Sequence, residues 1–185
     1  MMNIKYLTTE ELEAGLEDIY LSPKDDGHID MIVCRPDIEK REILSEARLD
    51  LTEGLAGDNW KTRGSTSTAD GSAHPEMQIN IMNSRVIALL AQEQERWQLA
   101  GDQLYIDMNL SAENIPAGTR LSLGTAVIEI TAKPHSGCKK FAARFGQDAI
   151  IFVNSPLGKE LHLRGVNARV IQSGTIQVGD IVKKI

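Results

Sequence analysis

The feature that most constrains the fold of this chain is a series of short segments in which apolar and polar residues alternate. A period of two places every second side chain on one face, as in a half-buried β-strand. Turns containing glycine or proline separate the segments, and few helices interrupt them. This spacing predicts a mainly β fold, a barrel with peripheral α-helices. The segments are residues 28–35, 41–51, 77–81, 104–110, 121–130, 164–171, 175–178 and 181–184. Residues 121–130 are expected to form a hairpin that turns at Gly124 and Thr125.

Helical patterns occur at the start of the chain and between strands. Thr8 and Glu11 have the spacing of a capping box, which predicts an N-terminal helix. Asn83 or Ser84 is expected to cap a longer helix from Arg85 to about Gln98. Residues 147–152 are predicted to be helical, with a strand as the alternative.

The length of 185 residues indicates a single domain. A chain of this size buries roughly 70% of the surface that it exposes when unfolded, so it needs no disulfide bonds or structural metals. We expect residues 1–27 to form a helical extension and residues 28–185 to form the barrel.

The formal net charge of −6 argues against a generic nucleic-acid binder. No segment approaches the apolar length of a membrane span, and Met1–Lys5 lacks the apolar run of a secretory signal. We therefore expect a cytoplasmic protein with no nucleic-acid or membrane partner. A small anionic ligand fits a locally basic pocket in an acidic protein better than a polymer does.

The chemically most distinctive segment is Lys133–Gly146, which contains Cys138. Pro134 ends a strand, and Ser136 is expected to cap a short helix that places Cys138 in its first turn. A helix N-terminus and the cations nearby favour the thiolate, which predicts a pKa below about 8.5 for Cys138. Such a sulfur is a nucleophile or a soft metal ligand; the alternative is a buried structural cysteine.

The other cysteine, Cys34, lies inside a predicted strand beside Ile32 and Val33. Burial there raises a thiol pKa, so Cys34 is interpreted as an inert packing residue. Further along, Lys61–Ala73 is rich in Ser, Thr and Gly. This composition predicts an exposed, mobile loop, with a lid as the alternative.

Several pieces of the chain, taken in order, resemble the MOSC domain family, named after the molybdenum-cofactor sulfurase C-terminal domain. Each piece alone is weak, but their order and spacing around one cysteine are specific. The pieces are Gly54–Asp58, Glu113–Asn114, Lys133–Cys138, Arg164–Arg169 and Gly174–Asp180.

The resemblance implies a barrel-like fold and an association with the molybdenum cofactor (molybdopterin). In relatives that reduce N-hydroxylated compounds, the cysteine ligates molybdenum, so Cys138 is the expected metal ligand. The chain lacks the aminotransferase-like half of the sulfurases, and we expect a free-standing, pyridoxal phosphate-independent, bacterial-type member that depends on a separate reductase.

Two other functions remain open. Cys138 of a sulfur carrier would bear a persulfide received from a separate sulfur donor. The third possibility is a non-catalytic barrel that binds a small ligand. The protein is thus either a molybdenum-dependent oxidoreductase, a sulfur-transfer protein or a binding protein.

Further site residues follow from these pieces of sequence. His135, three residues before Cys138, is a candidate acid/base partner; the alternative is an ordinary surface histidine. The remaining candidates would bind the cofactor through a phosphate or a polar heterocycle, and otherwise they are surface charges or loop caps. They are Asp58, Asn114, Lys133, Lys139, Arg164 and Asn167.

Overall fold

The computed structural model describes residues 5–185, so the first four residues of the predicted extension lie outside the described residues. The strands are β1 (Gly27–Cys34), β2 (Glu42–Leu44), β3 (Glu46–Asp50), β4 (Gly54–Leu55), β5 (Ile79–Asn83), β6 (Leu104–Asp107), β7 (Arg120–Leu123), β8 (Ala126–Ile130), β9 (Val166–Gln172), β10 (Gly174–Gln177) and β11 (Ile181–Lys184). The α-helices are α1 (Thr9–Ala14), α2 (Leu16–Tyr20), α3 (Trp60–Arg63), α4 (Ser84–Ala91), α5 (Lys139–Phe145), α6 (Gln147–Asn154) and α7 (Pro156–Glu160). Two 3-10 helices span Pro75–Met77 and Gln94–Ala100.

Seven of the strands close into a barrel in the order β1, β11, β7, β8, β9, β5, β6 and back to β1. Neighbouring strands are antiparallel except β5 and β6, which are parallel. β2 pairs with the end of β1 that β11 does not reach, while β10, β3 and β4 form a separate small sheet. The predicted barrel with peripheral helices is confirmed.

The alternation along β1 divides its side chains between two cores. Ile29, Ile32 and Cys34 lie in the barrel interior, whereas Met31 and Val33 face the helices outside. A bulge between Ile29 and Met31 shifts the register, and the extra residue reverses the side-chain parity at that point. Cys34 therefore lies on the opposite side of β1 from Met31 and Val33, while Ile29, which strict alternation would place with Met31 and Val33, faces the barrel interior because of the bulge.

The second core lies between the outer barrel wall and the helices. Leu12 of α1, Val86 of α4, and Phe141 and Phe145 of α5 are buried there against Tyr105 of β6. Because α5 and α6 supply part of this core, burial of their apolar side chains sets the position of the segment that leads into them.

Several local predictions hold in the structure. Thr8 and Glu11 form both hydrogen bonds of the capping box at α1. The hairpin of β7 and β8 turns at residues 124–125, and residues 147–154 are helical. The strand predicted over 41–51 is two strands, β2 and β3, because the chain leaves the barrel edge at Ser45 and joins the small sheet.

The helix predicted from Arg85 to about Gln98 is too long. Asn83 caps it as expected, but α4 ends at Ala91 because Gln92 adopts a left-handed conformation with φ of 63°. The chain continues as the 3-10 helix that contains Trp97. The hydroxyl of Tyr105 donates to the carbonyl of Trp97 at 2.7 Å, so a tertiary contact holds this second segment in place.

Candidate functional site

The cysteine-bearing segment, residues 131–138, connects β8 to α5 and is held against the barrel by a buried side chain of β9. Nδ2 of Asn167 donates to the carbonyl oxygens of Lys133 at 2.9 Å and Pro134 at 3.2 Å. Asn167 is fully buried, so both bonds are shielded from water. The segment therefore has one defined path across the end of the barrel.

A second asparagine holds the end of this segment. The amide of Gly137 donates to Oδ1 of Asn154 at 2.9 Å, and Nδ2 of Asn154 donates to the carbonyl of Gly137 at 3.2 Å. These bonds keep Gly137 out of the helix, so the predicted N-cap at Ser136 is wrong. Cys138 is the N-cap, with an extended backbone and an exposed side chain, and α5 begins one residue later.

His135, in the middle of the segment, belongs to a buried chain of three charged or titratable groups. Nε2 of His135 lies 2.8 Å from Oδ1 of Asp102, and Nη1 of Arg164 donates to Oδ2 of Asp102 at 2.7 Å. The exposed fractions of the three side chains are 14%, 0% and 8%. The Arg164 guanidinium also lies over the ring of Phe141, 4.9 Å from its centroid, which is a cation–π contact.

The protonation states in this chain follow from burial and charge. Burial lowers the pKa of His135, and the charge of Arg164 lowers it further, which outweighs the opposing effect of Asp102. Burial would raise the pKa of Asp102, but Arg164 and His135 together lower it. At neutral pH the group is therefore a neutral imidazole, a carboxylate and a guanidinium.

Gly165 makes room for this arrangement. Its φ of 109° lies in the region that favours glycine, and a Cβ there would collide with the carbonyl oxygen of Ile81. The same Cβ would lie 3.3 Å from Cδ2 of His135. Only a glycine lets β9 begin this close to both β5 and the imidazole.

His135, Arg164 and Gly165 line a cleft with a volume of about 730 Å³. Among the described residues, its lining includes two lysines and two histidines but no aspartate or glutamate. The charge of Arg164 is neutralised by Asp102, which is buried behind the lining residues. The charges of Lys133 and Lys159 are not neutralised in this way, so they make the cleft positively charged. Nε of Arg164 is buried and has no hydrogen-bond partner among the residues described, so the wall also holds an unused donor.

Four of the sequence-predicted site residues lie together in the lining of this cleft: Lys133, His135, Arg164 and Asn167. Cys138 is not among the lining residues; it follows Ser136, which lines the cleft, by two residues. The structure thus brings these four residues together, although the thiol of Cys138 is more exposed than they are.

Three other predicted residues do not line the cleft. Both carboxylate oxygens of Asp58 accept from Arg35, in an ion pair that is almost completely buried. Oδ1 of Asn114 accepts from Nζ of Lys184 at 3.0 Å at another part of the barrel. Lys139 is exposed on the first turn of α5.

Asp58 is nevertheless connected to the cleft through buried hydrogen bonds. Nη1 of Arg35 donates to Oδ1 of Asn80 at 2.9 Å, and Nδ2 of Asn80 donates to Oδ1 of Asn167 at 2.7 Å. Asn167 in turn holds the backbone of Lys133. The loop Gly54–Asp58 therefore supports the cysteine segment without contacting a ligand in the cleft.

Several residues of this site carry no signal in the sequence. No motif includes Asp102, because its partners lie 33 and 62 residues further along the chain. Lys159 and His162 line the cleft, and no motif singled them out. His162 has a left-handed backbone, φ 50°, and its Nδ1 lies 2.6 Å from the carbonyl oxygen of Leu110.

Residues 5–185 contain neither a metal-binding cluster nor a membrane-spanning helix. No group of three or more His, Cys, Asp or Glu side chains is placed to hold a metal ion. No helix in this part of the chain has the length and hydropathy needed to cross a bilayer.

Comparison with known proteins agrees with this fold. Residues 68–183 match the model of the MOSC domain family, which is more than half of the chain. None of the curated proteins compared with the chain matches it.

Similar solved structures share its fold at low sequence identity. The YuaD protein from Bacillus subtilis is 15% identical with a TM-score of 0.59, over 85% of this chain and 94% of its own. YiiM from Escherichia coli is 20% identical with a TM-score of 0.54, over 85% and 69%. YiiM from Geobacillus stearothermophilus is 14% identical with a TM-score of 0.56, over 86% and 75%.

Proposed function

Because this chain belongs to the MOSC domain family, which is associated with the molybdenum cofactor, we propose that its cleft binds this cofactor and that Cys138 ligates the molybdenum. The protein then reduces N-hydroxylated compounds with electrons from a separate reductase. The observation that carries the proposal is a cleft with cationic and without acidic lining residues, together with an exposed thiol two residues beyond the lining residue Ser136.

The residues of the cleft fit an anionic, hydrogen-bonding heterocycle. Lys133 and Lys159 supply uncompensated positive charge for a phosphate group. The unpartnered Nε of Arg164 is a buried donor, and an acceptor on a ligand would remove the cost of leaving it unsatisfied. The volume of about 730 Å³ lies within the range of small-molecule and cofactor sites.

Each residue has a separate role in this proposal. A thiolate is a soft ligand that suits molybdenum, and the clamp on Gly137 fixes the backbone from which Cys138 extends. The bound cofactor supplies the redox chemistry. The overall reduction takes two electrons and two protons, and it converts an N-hydroxyl group into an amine and water. His135, neutral and in the cleft lining, is the group that exchanges protons there.

The decisive measurement is the molybdenum and pterin content of the protein purified from a host that makes the cofactor. We expect both in the wild-type protein, no molybdenum in Cys138→Ser, and reduced pterin in the double variant Lys133→Gln/Lys159→Gln. Cys34→Ser and Lys183→Gln are the matched controls, because both residues lie outside the cleft, and they should retain the cofactor. Metal-free and pterin-free wild-type protein would contradict the proposal.

A second function is favoured by the exposure of Cys138, which is not among the residues that line the cleft. A sulfur carrier needs a thiolate that a second protein can reach. The thiolate would attack the outer sulfur of a donor persulfide, form the Cys138 persulfide and release the donor thiolate. Intact mass separates this function from the first, because a loaded carrier gains the mass of one sulfur atom and loses it on reduction.

A further inference from the structure

The ring of His135 has only one nitrogen engaged by the protein. Its hydrogen bond is the one between Nε2 and Oδ1 of Asp102, and within residues 5–185 no partner is found for Nδ1. Nδ1 is not completely buried, so it remains accessible from the cleft that His135 lines.

We infer that Asp102 is a positioning residue that fixes His135 as the Nε2-protonated tautomer and so leaves Nδ1 as a hydrogen-bond and proton acceptor facing a ligand in the cleft. Asp102 itself is completely buried and is not among the lining residues, so it acts only through the histidine. The ligand that it selects for is one with an N–H or O–H donor at this point.

Asp102 carries a negative charge. Nη1 of Arg164 donates to Oδ2 at 2.7 Å, and no solvent reaches the carboxylate. A guanidinium stays protonated in proteins, so the carboxylate beside it is ionised and has no proton to donate. Its other oxygen, Oδ1, can only accept.

The charge of Asp102 determines which nitrogen of the His135 ring carries the proton. At 2.8 Å from an oxygen that can only accept, Nε2 must carry the proton of a neutral ring. Nδ1 is then unprotonated. A carboxylate that orients a histidine in this way also makes its free nitrogen more basic.

The arrangement of Arg164, Asp102 and His135 is rigid. Arg164 is held from two further sides, since Nη2 donates to the carbonyl of Ala100 at 3.0 Å and the guanidinium stacks on Phe141. The ring of His135 packs beside Gly165, which leaves no room for a side chain there. Neither partner of Asp102 can turn away without losing buried contacts.

The test is the 15N NMR spectrum of the histidines at pH 8 in protein without cofactor. We expect the chemical shifts of His135 to show a protonated Nε2 and an unprotonated Nδ1. A ring protonated at Nδ1, or a rapidly exchanging mixture, would overturn the inference. This measurement needs no variant, so it gives a result even if changes at Asp102 prevent folding.

The variant Asp102→Asn gives the second arm of the test. The single side-chain oxygen of the asparagine would take the place of Oδ2 and accept from Arg164, so its amide nitrogen would face His135, donate to Nε2 and move the ring proton to Nδ1. Asp107→Asn is the matched control at the end of β6, the strand that follows Asp102, because Asp107 pairs with Arg85 and does not contact His135. We expect the tautomer to change in the first variant only; an unchanged tautomer in folded Asp102→Asn would contradict the role assigned to Asp102.

This inference deepens the proposed function, because the proposed cofactor and substrate supply the N–H or O–H donor. The two can fail separately. The tautomer is measured without cofactor, whereas molybdenum and pterin content does not report the position of the ring proton.

Discussion

The two cysteines differ most at the scale of single residues. Cys34 is buried in the barrel interior, and burial together with the charge of Asp58 raises the pKa of its thiol to about 11. Cys138 is exposed at the start of α5. The contrast between an inert and an accessible sulfur was predicted from the neighbours of each residue, although the helical position expected for Cys138 was wrong.

We predict that iodoacetamide at pH 7 modifies Cys138 well before Cys34, as measured by peptide mass against time. Cys34→Ser should cost about 1–3 kcal/mol in the free energy of unfolding because it buries a hydroxyl, whereas Cys138→Ser should cost less than about 0.5 kcal/mol. Faster modification of Cys34 in folded protein would contradict the assignment of the functional thiol.

The buried histidine predicts how stability depends on pH. The pKa of His135 is lower in the folded protein than its unfolded value of about 6.5. The folded state therefore binds this proton less readily, so its contribution is complete above about pH 6.5 and is lost as the pH falls below that value. Asp102, with a folded pKa of about 2, contributes a loss only below about pH 4.

Urea unfolding between pH 4.5 and 8 should therefore show the free energy of unfolding decrease below pH 6.5, by up to about 1.4 kcal/mol per pH unit. His135→Gln keeps a donor for Asp102 but cannot titrate, so most of this dependence should disappear. His28→Gln, at a half-exposed position, is the control and should keep it. An equal slope in wild type and His135→Gln would show that other groups cause the effect.

At the scale of secondary-structure elements, the start of β9 decides how closely the site can pack. Gly165 is required there both by its φ of 109° and by the carbonyl of Ile81. Gly118 has a similar φ of 92°, but nothing lies within 4 Å of the position that its Cβ would take. The two glycines therefore separate backbone strain from steric collision.

Gly165→Ala should destabilise the protein by about 2–4 kcal/mol, because backbone strain and overpacking add. Gly118→Ala should cost about 1 kcal/mol from the backbone alone. Thermal or urea unfolding measures both. Equal losses in the two variants would mean that the contact with Ile81 relaxes at little cost.

The loop Lys61–Ala73 remains predicted to be mobile. α3 occupies its first part and buries Trp60, while the remainder is stabilised mainly by short-range bonds such as those of Asp70 with Ser72. Limited trypsin digestion should cut first after Arg63, the exposed end of α3. Arg63→Gln should delay this cut, and early cleavage elsewhere in both proteins would count against the prediction.

What could be predicted at this scale depended on whether the cause was local. The hairpin at residues 124–125 and the capping box of α1 are encoded within a few residues, and both are present. The 3-10 segment after α4 and the N-cap at Cys138 depend on Tyr105 and Asn154, which contact these segments from elsewhere in the chain. Asp102 was missed for the same reason, since its function arises only from distant partners.

At the scale of the whole molecule, an acidic protein carries a cationic cleft. The net charge of −6 opposes association with a polyanion, while two lysines in a recess can still attract a small anion. The barrel was predictable because alternation extends over most of the chain. The cleft was not, because it forms where β8, β9 and α6 meet.

We predict no binding to nucleic acid. Fluorescence anisotropy of a labelled DNA or RNA oligonucleotide in 50 mM salt should not change up to micromolar protein concentrations. Association that weakens steeply with added salt would reveal phosphate contacts and contradict this expectation.

The bonds that hold the cysteine segment have a consequence for folding. Asn154 lies 17 residues from Gly137, Asn167 lies 34 residues from Lys133, and Asn80 lies 87 residues from Asn167. Contacts so far apart in the chain form late, because the loops between them must close first. A partly folded chain therefore lacks the binding cleft. A ligand that enters the cleft stabilises only the native state, by its free energy of binding.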